Sequence, residues 1–212
     1  MQMQKPFHSL IETEEELRVL IGTPSEIVKR KTINHLDHHC KNFISKSPFL
    51  VISTSDKSGS CDVSPRGDKP GFVLILNENY LIIPERPGNK RMDTMFNILS
   101  NPHIGLQFLI PGLGETLRVN GRAFLVKDPE ILEQMMAKGK TPLIGIGVEV
   151  EECFMHCAKA LIRSGLWEPS TWSGKDTLPS AAKILYEHAK LPGSSPETVE
   201  TGLKESYAKR LY

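Results

Sequence analysis

Val63-Ser64-Pro65-Arg66-Gly67-Asp68, a strand pair, then Pro84-Glu85-Arg86-Pro87-Gly88-Asn89-Lys90-Arg91 and a short helix stopped by Asn101-Pro102: residues 63–102 organise the whole chain. Arg66 closes one end of this stretch, and Lys90 and Arg91 are expected to open the helix at the other. The first N–H groups of a helix have no intrahelical acceptor and favour an anion. Two cations at that point add to the attraction, and Gly88 allows close approach of the backbone. The stretch therefore reads as a phosphate clamp. It suits equally well a solvated helix start with ordinary surface cations, and its residues alone do not separate the two.

Outward from it, the period of the pattern is that of strands. Phe49–Thr54 is an apolar run followed by the turn Ser55-Asp56-Lys57-Ser58-Gly59-Ser60, and Cys61–Pro65 returns from it. Phe72–Leu76 and Tyr80–Pro84 form a second pair around Asn77-Glu78-Asn79. Between them and the strand His103–Ile110 lies the predicted helix 90–99, with Met92, Met95, Phe96 and Leu99 as a core-facing stripe. Glu115–Lys127 alternates Leu117, Val119 and Gly121 with Arg118, Asn120 and Arg122, so one face is apolar and one polar. A last strand is predicted from Pro142 to about Cys157, and a short helix over Ala158–Ser164. Short strands with hairpin turns and one intervening helix predict a Greek-key barrel with peripheral helices.

The flanks read as helical. Residues 12–21 end at Gly22, a helix restarts at Pro24-Ser25-Glu26, and 35–46 carries Leu36, Cys40, Phe43 and Ile44 on one stripe. His35, His38 and His39 fall at i, i+3, i+4 on that predicted helix, a spacing compatible with metal ligands, but without a further carboxylate or a glycine-bounded loop it reads as a solvated or subunit-facing patch. Asp128-Pro129-Glu130 caps a helix through Met136, and one helix is predicted near 181–190. The expected organisation is an N-terminal helical segment, 1–47, packing on the barrel; a barrel domain, 48–172; and a C-terminal helical tail, 173–212.

With 212 residues the chain can bury a sizeable core, and its formal net charge of +1 creates no global field for nucleic acid or a membrane surface. No spanning helix and no secretory leader are predicted, which points to the cytoplasm. Four cysteines are too sparse for a disulfide scaffold; Cys153, His156 and Cys157 fall short of a metal set, and no metal is expected. There is no Gly-x-Ser-x-Gly, no Walker A run and no complete dinucleotide fingerprint. What stands out is cations without acids: Arg66, Lys90, Arg91, Arg118, Lys159 and Arg163. Such a set suits a phosphorylated, planar, electron-rich ligand, because guanidinium forks take phosphate oxygens in pairs and a cation beside a flavin ring favours its reduced anion. Trp167 is suited to cover a ring face.

Three segments carry a family resemblance: Val63-Ser64-Pro65-Arg66-Gly67; Asn89-Lys90-Arg91 followed by Ser100-Asn101-Pro102; and Glu115-Thr116-Leu117-Arg118-Val119-Asn120-Gly121-Arg122-Ala123. In this order and spacing the chain, from about 43 to 172, resembles the pyridoxamine 5'-phosphate oxidase-like FMN-binding split β-barrel proteins. His156-Cys157-Ala158-Lys159-Ala160-Leu161-Ile162-Arg163-Ser164-Gly165-Leu166-Trp167 resembles one subgroup that is not the oxidase proper. The resemblance implies a mainly β (α+β), six-stranded split barrel and a homodimer with FMN at the subunit interface. It implies that Arg66, Lys90 and Arg91 hold the FMN phosphate and that Asn89 and Thr116 make polar contacts near it. Lys159, Arg163 and Trp167 are implied to come from the other subunit, near the ring. The oxidase's substrate lysine segment is replaced here by Gly67-Asp68-Lys69-Pro70-Gly71, and its arginine- and tryptophan-rich ending by 204–212, so vitamin B6 synthesis is not expected. The expected function is an FMN-dependent oxidoreductase with an unidentified small substrate and no side-chain nucleophile. The alternatives are a flavin sensor or carrier without turnover, or a haem-binding barrel using His35, His38, His39 or His156.

Overall fold

The computed structural model describes residues 6–212. The backbone separates into two compact units, Met1–Thr32 and Ile33–Tyr212. In the first, α1 (Glu14–Ile21) starts where the Thr13 side chain accepts the Glu16 N–H and stops at Gly22, whose φ of 86° lies in the left-handed region that glycine tolerates. A second helix, α2 (Glu26–Arg30), follows Ser25, and neither helix buries a residue.

In the second unit, helix α3 (His38–Lys46) precedes the strands β1 (Phe49–Ser55), β2 (Cys61–Gly67), β3 (Leu74–Ile75) and β4 (Tyr80–Pro84). Then come α4 (Asp93–Ser100), β5 (His103–Leu109), β6 (Thr116–Val126), α5 (Pro129–Glu133), β7 (Gly145–His156) and α6 (Lys159–Ser164). Two helices, α7 (Ala181–Ala189) and α8 (Pro196–Lys209), complete it. All pairings are antiparallel, in the order β2-β1-β5-β6-β7-β4-β3. The strand count is seven, as the sequence pattern has it, rather than the six implied by the resemblance; the predicted 72–76 strand is reduced to the two-residue β3.

The alternation read in the sequence is the burial pattern. Leu50, Ile52 and Thr54 of β1 point inward, as do Leu117, Val119, Gly121 and Ala123 of β6. They meet Leu81 and Ile83 of β4, Ile146, Val148, Val150 and Cys153 of β7, and Phe43 and Ile44 of α3 in one core. β1 and β4, each second from one end of the pairing order, thus share a single interior, which is the curled form of a split barrel. Each fully buried aliphatic side chain contributes about 1.5–3 kcal/mol relative to exposure. Asn120 pairs with Glu152 and Gly121 with Val150, so Glu151 is the extra residue of a bulge that bends β7 against β6.

Three local expectations are corrected. His35 precedes the helix cap Asp37, so only His38 and His39 lie on α3; their rings are 3.7 Å apart at the exposed surface. Helix α4 begins at Asp93, so Lys90 and Arg91 belong to the turn before it. Its buried positions are Thr94, Met95 and Ile98, whereas Met92, Phe96 and Leu99 are exposed, so the stripe is rotated from the one predicted. The 14-residue α8 was not foreseen, although Ser195-Pro196-Glu197-Thr198 is a readable start: Ser195 and Thr198 cap each other reciprocally.

Candidate anion-binding cleft

Strand alternation builds the first wall. On β2, Asp62, Ser64 and Arg66 share the sheltered face while Val63 and Pro65 face out. β2 is an edge strand, which tolerates Pro65. Asp62 accepts hydrogen bonds from Ser64 (2.9 Å) and Thr94 (2.6 Å), tying the first turn of α4 to β2. Asn97 and Asn101 extend the tie to β1 through Thr54 and Ser55.

Between β4 and α4 the chain turns on Pro84 and Pro87. Glu85 N–H donates to Ile144 O, which holds this turn against the segment leading into β7. Lys90 and Met92 both adopt left-handed backbone (φ 62° and 60°) on either side of Arg91. Non-glycine residues in this region are strained and concentrate at functional sites, and such alternation makes backbone concavities that take anions. Asn89 Oδ1 accepts the Arg91 N–H at 3.0 Å and fixes the turn.

These elements enclose a cleft of about 940 Å³, walled on the far side by residues 140–144 and by Tyr212. Five cationic side chains (Arg66, Arg86, Lys90, Arg91, Lys140) and two anionic ones (Glu85, Asp93) line it. The chain as a whole is nearly neutral, so this excess of positive charge is local.

Two arginine–carboxylate pairs stand side by side. Arg86 Nε lies 2.7 Å from Asp68 Oδ2, and the Tyr212 hydroxyl donates to Asp68 Oδ1 at 2.7 Å. Arg66 Nη1 lies 2.6 Å from Glu85 Oε2, an ion pair off hydrogen-bond geometry, and the buried Arg66 Nε has no hydrogen-bond partner. The first pair is satisfied; the second is an ion pair with unspent capacity. Lys140 donates to the Tyr212 main-chain oxygen at 2.6 Å. Arg91 Nε contacts Asp93 at 2.7 Å on the exposed rim, and among the described residues Lys90 has no ion-pair partner.

Burial, the largest influence on Asp68, disfavours its charge. The hydrogen bonds from Tyr212, the Lys69 N–H and Arg86 outweigh it and hold the carboxyl below its ordinary value of 3.8. The unfolded chain then binds more protons in the window between the two values, so this contribution to stability is present above 3.8 and is lost as pH falls through the lower folded value. Asp68→Asn is expected to be less stable than the parent at neutral pH, with the difference shrinking as pH falls below 3.8. Urea titrations above and below that value check this; a constant difference would remove Asp68 from the acid response.

Of the residues singled out from sequence, Arg66, Asn89, Lys90 and Arg91 come together on this cleft. Thr116 lies elsewhere, buried at the start of β6 and accepting a hydrogen bond from Gln107. Lys159 and Arg163 are exposed on α6, and Trp167 donates its indole N–H to Leu113 O, beside the β5–β6 turn. None of these four lines the cleft of its own chain. Sequence reasoning passed over Glu85, Arg86, Lys140 and Tyr212. Glu85-Arg86, bracketed by Pro84 and Pro87, carried a signal: opposite charges on a stiff turn inside the deciding stretch. Lys140 and Tyr212 carried none, since they reach the site across 72 and 144 residues from their bonded partners.

The family model of pyridoxamine 5'-phosphate oxidase matches residues 36–157, more than half of the chain. The chain belongs to the pyridoxamine 5'-phosphate oxidase family. The matched region of this family spans every strand and the first two walls of the cleft. No curated protein sequence matches the chain. Among solved structures, the family member is similar to HupZ of Group A Streptococcus, with 18% identity over 56% of this chain and 92% of that one and a TM-score of 0.46. It is also similar to General Stress Protein 26 of Bacillus anthracis, with 13% identity, coverage of 55% and 93%, and a TM-score of 0.42. HutZ, the heme storage protein of Vibrio cholerae, shows 14% identity, coverage of 57% and 94%, and a TM-score of 0.40. No helix among the described residues is long and apolar enough to cross a membrane.

Proposed function

We propose that this protein is an FMN-dependent oxidoreductase acting on a small substrate, or on a nicotinamide donor, as a homodimer with the flavin at the subunit interface. The observation that carries the reading is the convergence of Arg66, Asn89, Lys90 and Arg91 on one positively charged cleft. The cleft fits FMN on three counts: its volume is that of a cofactor site, its charge suits a phosphate, and the strained turn at 90–92 suits anion binding by the backbone. When bound, FMN supplies hydride transfer, the chemistry for which the chain has no side-chain machinery.

The chain's own residues have three tasks in this reading. Arg66, Lys90 and Arg91 grip the phosphate, with Asn89 holding the turn in shape. The Asp68–Arg86–Tyr212 set keeps a second cation fixed in the wall, so that charge is already in place before the ligand arrives. Lys159, Arg163 and Trp167 of the second copy approach the ring; their exposure or distance from the cleft of their own chain is consistent with that role. The exposed apolar residues Phe96 and Leu99 on α4 support burial of that helix's outer face against another copy. Haem has less support, because no histidine or cysteine lines the cleft.

Sedimentation followed at the visible flavin band tests cofactor and assembly together. The expected result is a yellow species with the mass of two chains that releases FMN on denaturation and bleaches anaerobically with a nicotinamide or candidate reductant. A colourless protein that does not take up added FMN would overturn the reading. Flavin that no donor reduces would leave a carrier or sensor.

A further inference from the structure

The core holds a pair of thiols that the cleft does not use. Cys40 Sγ and Cys153 Sγ lie 3.2 Å apart, joining the first turn of α3 to the middle of β7. Both are buried: Cys153 is 0% exposed and Cys40 8%. The other two cysteines, Cys61 and Cys157, are exposed and stand apart. The backbone clasps the same place, with Ile33 and Cys153 exchanging N–H···O bonds of 3.0 and 2.6 Å.

The two thiols are not equivalent. The hydrogen bond from Cys153 is the largest influence on Cys40 and favours its thiolate, overcoming burial and the opposing charge of Asp37. Cys40 also sits third in α3, where the N-terminal backbone favours an anion, and its own N–H is held by Asp37 at 2.8 Å. The same hydrogen bond and the complete burial push the Cys153 thiol up. One member is therefore the more acidic and the nearer to solvent, and its partner is held protonated within reach.

We propose that Cys40 and Cys153 form an oxidisable dithiol that a hydroperoxide converts to a disulfide locking α3 to β7. The Cys40 thiolate attacks the terminal oxygen of the hydroperoxide; the O–O bond breaks, and the alcohol (or water) leaves with a proton. Cys40 is then a sulfenic acid, whose hydroxyl is displaced as a second product, water, by the Cys153 sulfur. Two thiols lose two electrons and two hydrogens, and the hydroperoxide takes both. The sulfurs have to close by about 1.2 Å to reach disulfide distance.

The test uses the full chain with Cys61→Ser and Cys157→Ser, reduced and then exposed to hydrogen peroxide while folded. The expected result is the loss of two hydrogens in intact mass, a dithiothreitol-sensitive peptide joining Cys40 to Cys153, and a thermal midpoint raised by several degrees. The rise is expected because the link closes a loop of 113 residues. Cys153→Ala should instead accumulate a Cys40 sulfenic acid that dimedone traps, and Cys40→Ala should leave Cys153 unmodified. Mapping of the unsubstituted protein repeats the measurement should a variant fold poorly. Recovery of both thiols after peroxide, or a cross-link formed only after denaturation, would overturn the proposal.

Discussion

Replacing Lys90 and Arg91 together by alanine is expected to weaken FMN binding roughly a hundredfold or more, because each removes a charge-assisted hydrogen bond to the phosphate. The two residues are suited to yield to a ligand. Arg91 is engaged only by Asp93 on the exposed rim, a kind of pair that is worth little in water. Lys90 has no ion-pair partner among the described residues, and its left-handed backbone is maintained by the turn rather than by its charge. Stability should therefore change little while affinity falls. Affinity should also decline with salt in the parent, and less steeply in the double variant. Fluorescence titration of FMN, with Lys57→Ala as a remote control, measures this. Equal dissociation constants for parent and double variant would eliminate the clamp.

The largest expected effect on stability comes from Gly121→Ala. Gly121 lies opposite the bulge at Glu151 of β7, against which it packs closely. A Cβ there would overlap the carbonyl oxygen of Glu149 and lie 3.0 Å from its carbon and 3.2 Å from Glu151 N. These are backbone atoms, so no side-chain rotation relieves the clash, and the two strands that carry Val119, Ala123, Val148 and Val150 would have to part. A loss of at least about 3 kcal/mol, or failure to fold, is expected. Gly105→Ala is the matched control. Its Cβ would meet Asn120 Oδ1 at 3.5 Å, an ordinary contact, and the cost should stay within about 1 kcal/mol. Chemical denaturation compares them, and coincident midpoints for the two variants would refute the close-approach account of Gly121.

The fates of Glu85 and Phe96 show where sequence reading ends. Phe96 sits at helical spacing from Met92 and Leu99, which is the pattern of a core stripe. The helix starts later than its cations suggested, and it packs through Thr94, Met95 and Ile98, because Asp62 and Ser64 capture Thr94. Periodicity defines a face of a helix but not its rotation against a sheet. Glu85 and Arg66 are nineteen residues apart on different strand ends, and their approach depends on how β2 and β4 curl around one core. Nothing local encodes that distance.

By itself, the sequence determined the alternating strands, the barrel class, the helix start at Asp128-Pro129-Glu130, and the identity of the cations at residues 66, 90 and 91. Each of these follows from a pattern within a few residues: side-chain period, turn chemistry, or charge beside a helix start. Only the tertiary structure decided which cations meet. It gathered Arg66, Lys90 and Arg91 with Arg86, Lys140 and Tyr212 around one cleft, left Lys159, Arg163 and Trp167 elsewhere, and set Cys40 against Cys153. The reason is that long-range proximity is settled by the burial of the shared apolar interior, to which polar and charged side chains contribute little and by which they are carried into place.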